Sequence, residues 1–147
     1  MTNFERTKNW LQACGKEPNE KNLSIQIGCH IEEFVEFLEC ITVSFGGDTK
    51  DSCCIALQEL SKSLKVGGLN IAKIPYGSRA NALDALCDCE VTGNGVAYLA
   101  EMEKDEADQA VLASNEAKLV DGKPVILPGG KIGKPEGWQA PDLARFT

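Results

Sequence analysis

One histidine, His30, stands among 147 residues, and that scarcity closes several routes at once. Zinc sites usually combine histidine with paired cysteines. The seven cysteines, Cys14, Cys29, Cys40, Cys53, Cys54, Cys87 and Cys89, include no C-x-x-C pair. A di-iron bundle needs Glu-x-x-His on two helices, hence at least two histidines. No motif selects any cysteine as the nucleophile of a Cys/His pair. The cysteine count is odd, and Met1-Thr2-Asn3-Phe4-Glu5-Arg6 is not a charged-then-apolar leader, so a secreted disulfide framework is not expected. Reduced, mostly buried thiols are expected instead, because free cysteine packs as a small hydrophobe.

Basic residues are also in the minority. Fifteen Lys and Arg face twenty-two Asp and Glu, a net charge of −7, with a pI near 4.8. A generic nucleic-acid binder needs a basic footprint for phosphates, and none is present overall. No apolar run approaches the ~18 residues of a membrane span. These features exclude a membrane partner and make the cytoplasm the expected location. Aromatic residues are scarce at 6%, so a core must draw on aliphatics, alanine and cysteine, which leaves room for subunit association to complete burial. What remains is ordinary: 43% hydrophobic and 25% charged residues describe one soluble globular domain rather than a disordered chain.

Helical periodicity dominates the first 120 residues, and glycines divide it. A first helix is predicted over Phe4 to Cys14, stopped by Gly15, with a loop over Gly15 to Asn22. A second runs from Ser24 as N-cap to Phe45 and ends at Gly46-Gly47. The third starts at Asp48, with Asp51 in its first turn and Leu57, Leu60 and Leu64 as its buried stripe, and ends at Gly67-Gly68. A connection over Leu69 to Ser78 leads to a fourth helix, Arg79 to Met102. A fifth runs from Asp105, as N-cap, to Val120. Beyond it, Asp121-Gly122-Lys123-Pro124 reads as a turn. Val125-Ile126-Leu127 and Lys131-Ile132 around Pro128-Gly129-Gly130 then suggest a small hairpin. The closing residues read as an irregular arm lying over its own bundle or over a partner subunit. The expected organisation is all-α, with residues 1–124 forming the domain and 125–147 a short irregular or hairpin arm.

The second helix carries the chemistry-bearing pattern. At about 100° per residue, Glu32, Glu33, Glu36 and Glu39 fall within an arc of about 120°, while Ile31, Phe34, Val35, Leu38 and Ile41 span the other side. Like charges at these spacings repel and weaken the isolated helix. On the fourth helix Asn81, Asp84 and Asp88 share one narrow face, continued by Gly95, with Leu83, Leu86 and Ala97 opposite for packing. Aspartate is a poor helix former beyond the first turn, so two inside a helix need a reason. If the two acidic faces meet, four or five carboxylates share a cleft and cannot all stay ionised without cations. Such a cluster suits Mg²⁺ or Mn²⁺, hard ions that also bind phosphates. A solvated acidic face is the competing reading.

Glu32-Glu33-x-x-Glu36, followed some fifty residues later by an acidic pair, resembles the MazG-like all-alpha nucleoside triphosphate pyrophosphohydrolases. That superfamily includes dimeric dUTPases and phosphoribosyl-ATP pyrophosphohydrolase. Leu83-Asp84-Ala85-Leu86-Cys87-Asp88 through Val91-Thr92 and Gly95 is similar to its second metal helix. Ser114-Asn115-Glu116-Ala117-Lys118-Leu119-Val120-Asp121-Gly122-Lys123-Pro124 resembles the following helix and turn in phage-borne members, for which the location would be the host cytoplasm. The resemblance covers about residues 24 to 124.

It implies a MazG-like helical bundle, a homodimer or homotetramer, and hydrolysis of a nucleoside triphosphate to monophosphate and pyrophosphate. By resemblance Glu33 and Glu36 are metal ligands, and Glu32 is a further ligand or orients the attacking water. Asp88 matches the aspartate of the second motif. The glutamate expected three residues earlier is absent, since Ala85 stands there, and Asp84 is the candidate replacement. Two or three Mg²⁺ or Mn²⁺ ions per site are implied. Asn115 and Lys118 match the family's phosphate- and sugar-contacting pair, with Arg79 and Lys123 as weaker triphosphate contacts. Family habit favours a purine deoxynucleotide such as dGTP; no residue here specifies the base. Two alternatives remain: a phosphoribosyl-ATP-type pyrophosphohydrolase, and a non-enzymatic helical protein whose acidic face binds a basic partner.

Other features carry less. Gly93-Asn94-Gly95 lacks the pattern of a phosphate loop and is expected to let helices approach closely. Trp10, Trp138 and Tyr98 are too few and scattered for a base-stacking platform.

Overall fold

The computed structural model describes residues 1–44, 46–66, 71–127 and 132–147. Among them are five α-helices: α1 Asn3–Ala13, α2 Glu20–Cys40, α3 Gly47–Lys65, α4 Arg79–Leu99 and α5 Lys104–Glu116. One short antiparallel pair, β1 Leu119–Val120 and β2 Lys123–Pro124, follows them. The chain is mostly helical, as its periodicity predicts. It divides into two compact units. One comprises Pro18–Tyr76, and the other comprises Met1–Glu17 with Gly77–Thr147.

The Pro18–Tyr76 unit is a pair of packed helices. Its α2 starts at Glu20, capped by Asn19, whose side chain accepts from the Asn22 backbone N–H at 2.8 Å. Ser24, the expected cap, lies inside the helix and is buried. Its hydroxyl has a tertiary use instead, donating to the Leu64 carbonyl at 3.3 Å and accepting from the Ala72 N–H at 3.0 Å. The helices approach closely at Gly28. A methyl group there would lie 3.0 Å from the Ser61 carbonyl oxygen and 3.3 Å from Leu64 Cβ. Glycine is therefore what this crossing needs, and Ser61 Oγ seals it by donating to the Gly28 carbonyl at 2.8 Å.

The buried positions of α3 are Cys54, Ser61 and Leu64, with Leu57 half-buried and Leu60 exposed. The stripe thus keeps Leu57 and Leu64 of the expected line and departs from it at Leu60, because small Ser61 rather than Leu60 meets Gly28. Helix α2 ends at Cys40, and Phe45, where its end was expected, lies outside the described residues. Gly46, at φ 85°, precedes α3, and Asp48 rather than Asp51 occupies the first turn. The expected stop at Gly67-Gly68 also lies outside the described residues.

The second unit is organised around α5. Thr2 and Glu5 form a reciprocal capping box at the start of α1, and Gly15 at φ 69° closes that helix. Arg6 of α1 grips Glu116 of α5 with two hydrogen bonds, at 2.7 and 2.8 Å, and donates to Gln109 at 2.5 Å. The C-terminal end of α4 closes at Ala100, not at the expected Met102. Glu101 adopts φ 60°, its N–H bonds the Tyr98 carbonyl, and the Met102 N–H reaches back to Ala97. That paired pattern is a Schellman closure with glutamate in the position glycine usually takes.

Helix α5 begins at Lys104, capped by Glu103 rather than Asp105, and stops at Glu116 rather than Val120. Leu119 and Val120 instead pair with Pro124 and Lys123 across a two-residue Asp121-Gly122 loop. Both loop residues have positive φ, 50° and 73°, the geometry that makes Asp-Gly a favoured hairpin turn. The expected second hairpin is present as an Ile126–Ile132 bridge and a Gly133 N–H bond to the Val125 carbonyl. Its turn residues, Pro128 to Lys131, lie outside the described residues. The arm then returns along α5. Trp138 Nε1 donates to the Ser114 carbonyl at 2.9 Å, and the Phe146 carbonyl accepts from the Glu103 N–H at 2.9 Å.

Burial is sparse. Among the described residues the buried hydrophobic side chains are Cys14, Val35, Cys54, Leu64 and Ala97. Cys40, Cys53, Cys87 and Cys89 are exposed and Cys29 is half-buried, so the cysteines form no disulfide among the described residues and are not mostly buried as expected. Leu83 and Leu86, expected to pack α4, are 63% and 52% exposed.

Candidate functional site

The acidic face of α2 divides into two roles. Glu32 sits beside the α3 crossing, where Lys65 Nζ reaches it at 2.6 Å. Lys65 is drawn there because its stem packs against Gly28, a snorkelling arrangement that buries carbon and leaves the ammonium beside a carboxylate. One turn pair further on, Glu39 accepts from Gln58 Nε2 of α3 at 2.8 Å. Glu33 and Glu36 lie on exposed positions of the same helix. Glu32 and Glu39 are thus tied to α3.

Asp84 and Asp88 are exposed on α4, in the same chain unit as Asn115, Lys118, Arg79 and Lys123. The Thr92 hydroxyl donates to the Asp88 carbonyl at 2.8 Å, which leaves the Asp88 carboxylate outside that bond. Glu32, Glu33 and Glu36 belong to the Pro18–Tyr76 unit. Among the described residues, no three His, Cys, Asp or Glu side chains converge as a metal-binding group. The donor chemistry itself fits a hard divalent cation: all five are carboxylates, with oxygen ligands of the kind Mg²⁺ and Mn²⁺ take. Glu32 fits least well, because its charge is already matched by Lys65.

At the other end of α5 a basic cluster forms. Lys118 Nζ donates to Asn115 Oδ1 at 2.8 Å, so the two residues that the resemblance singled out do meet. Beside it stands the Trp138 indole, with Lys118 Nζ 5.5 Å and Lys134 Nζ 4.4 Å from its ring centroid. Both distances are within cation–π range. Lys16 and Lys118 also share a neighbourhood at Cys14. Burial pushes that thiol up, and the two lysines oppose the shift. Arg79, at the start of α4, and Lys123, on β2, are exposed.

Trp138 and Lys134 are the residues that spacing did not find. They lie 20 and 16 positions after Lys118 in the chain, and only the return of the arm along α5 brings them to it. The one available signal was compositional: residues 121–147 carry four cations, Lys123, Lys131, Lys134 and Arg145, against three acids, in a chain of net charge −7.

Among the described residues no helix is long and apolar enough to cross a membrane. No protein-family model, no curated protein and no solved structure matches this chain.

Proposed function

We propose that this chain is a metal-dependent nucleoside triphosphate pyrophosphohydrolase, working as a homodimer or homotetramer. The observation that carries the reading is the Asn115–Lys118 pair, joined at 2.8 Å in one unit; the exposed Glu33 and Glu36 of α2, in the other unit, supply the acidic set. The first is chemistry for phosphate and the second is chemistry for cations. The MazG-like resemblance of residues 24 to 124 supports the same assignment.

In this reading Glu33, Glu36, Asp84 and Asp88 would hold Mg²⁺ or Mn²⁺. Bound cations of this kind neutralise polyphosphate charge and make a coordinated water more acidic. Glu32, with Lys65 matching its charge, orients the attacking water. That water's oxygen bonds to the α-phosphorus as the bond to the α–β bridging oxygen breaks, and pyrophosphate leaves. Lys118 offers a point charge to the departing phosphates, and Asn115 holds a phosphate oxygen or a ribose hydroxyl. The substrate leaning is towards a purine dNTP such as dGTP, on family habit.

Association with a second copy is supported by α2. Phe34 and Phe37 of α2 and Ile41 at its C-cap are 52%, 42% and 36% exposed. On α4, Leu83, Leu86 and Val91 are exposed as well, within an arc of about 140° at about 100° per residue, apolar surface that a second copy could cover.

Thermal melting with Mn²⁺ or Mg²⁺ and non-hydrolysable nucleotides tests the reading. A ligand at about 100 times its Kd adds roughly 2.7 kcal/mol. Stabilisation only when metal and triphosphate are present together is expected. No shift with any combination would leave the glutamates as a solvated face.

A further inference from the structure

The C-terminal arm supplies a contact that the Asn115–Lys118 pair lacks alone. Lys118 and Lys134 hold their ammonium groups within 5.5 Å of the same indole ring. Trp138 is fixed there by its Nε1 bond to the Ser114 carbonyl, one residue before Asn115. In a chain of net charge −7, gathering two cations on one ring runs against the overall balance. Like charges at this range repel, and each also gives up hydration. Lys134 forms no ion pair among the described residues. Asn115 accepts from Lys118 through Oδ1, which leaves its amide N–H groups as donors on the same side chain. Two ammonium groups over one ring, with an amide donor beside one of them, supply the charged and polar N–H groups that an anion needs.

We propose that Lys134, held by Trp138, completes with Lys118 and Asn115 a binding site for a polyphosphate chain, so that the arm is part of the substrate site. Lys134 is a binding residue and Trp138 a positioning residue. The anion site stands on the geometry above; its assignment to a nucleotide's triphosphate rests on the proposed function.

The test is isothermal titration of inorganic triphosphate into the full chain without divalent metal, compared across the wild type, Lys134→Gln, Lys134→Arg and Trp138→Phe. Wild type binds saturably. Lys134→Gln weakens binding about tenfold, as expected for one lost charge-assisted contact, and Lys134→Arg retains most of it. Trp138→Phe keeps a ring but loses the Ser114 bond, and falls between them. Lys134 is exposed, so its variants fold, and unchanged melting curves check this. In turnover assays Lys134→Gln raises KM with kcat nearly unchanged, the signature of lost uniform binding.

Wild-type affinity and KM in Lys134→Gln overturn the arm's role while leaving the hydrolase intact. So does an absence of triphosphate binding in the wild type. Lys134-dependent triphosphate binding in a chain that hydrolyses no nucleotide supports the anion site and removes the hydrolase.

Discussion

Single residues decide how the Pro18–Tyr76 unit closes. Gly28 lies so near α3 that a methyl group would meet Lys65 Cγ at 2.8 Å as well as the Ser61 carbonyl. Alanine gains up to about 1 kcal/mol of helix propensity over glycine, but forcing apart a packed crossing costs about 1–3 kcal/mol. Gly28→Ala is therefore expected to lower stability by about 1 kcal/mol, read by denaturant midpoint. It also displaces Lys65 and so loosens the Glu32 ion pair. In the other unit, the Arg6 hydrogen bond holds the Glu116 carboxyl below its ordinary range, with burial opposing and Arg6's charge adding. A carboxylate depressed in this way contributes stability above its unfolded value and loses it as pH falls through the folded value. Wild type should therefore lose more stability than Glu116→Gln between neutral pH and the region below the usual glutamate range. Equal acid sensitivity would remove Glu116 from the α1–α5 contact. Of these residues only Glu32 was legible in the sequence. Ser24 had the chemistry of a cap, but a hydroxyl serves a cap or a tertiary bond equally well, and the choice depends on Leu64 and Ala72 lying beside it.

At the scale of elements, punctuation marked where helices lie but not where each one starts and ends. Gly15 stops α1 as expected, because its φ of 69° suits glycine. Helix α4 ends without glycine, at Glu101 with φ 60°, where a side chain costs about 1 kcal/mol. Glu101→Gly should accordingly raise the melting temperature by a few degrees, and a fall would show that the Glu101 side chain does something for the fold. The Asp121-Gly122 hairpin was signalled by its dipeptide, yet Leu119 and Val120 also continue the apolar period of α5. Strand pairing with Lys123 and Pro124 took them, since a two-residue turn with positive φ at both positions sets that register. The acidic face of α2 was legible as a face. What it meets was not: Lys65 and Gln58 of α3 hold Glu32 and Glu39, and periodicity says nothing about which faces come together. The Lys134–Trp138 contribution was illegible for the same reason.

For the whole molecule, the small number of buried hydrophobic side chains is the governing fact. Val35, Leu64 and Cys54 in one unit, with Cys14 and Ala97 in the other, are a slight core against the conformational entropy of ordering this chain. The open Phe34–Phe37 pair, with ring centroids 6.3 Å apart, and the exposed leucines of α4 are the surface whose burial would make up the difference. Sedimentation should show a dimer or tetramer at micromolar concentration, and Phe34→Asp should shift it towards smaller, less stable species. A monomer of ordinary stability would contradict the proposed assembly.

The function itself is tested most directly by its products. Purified chain is incubated with each common NTP and dNTP in Mg²⁺ or Mn²⁺, and the nucleotides are separated by ion exchange. The expected result is monophosphate and pyrophosphate in equal amounts from at least one nucleotide, with turnover lost in Glu36→Gln and in Asp88→Asn while both variants stay folded. Diphosphate and inorganic phosphate, full activity in either variant, or no turnover with any nucleotide and either metal would contradict it.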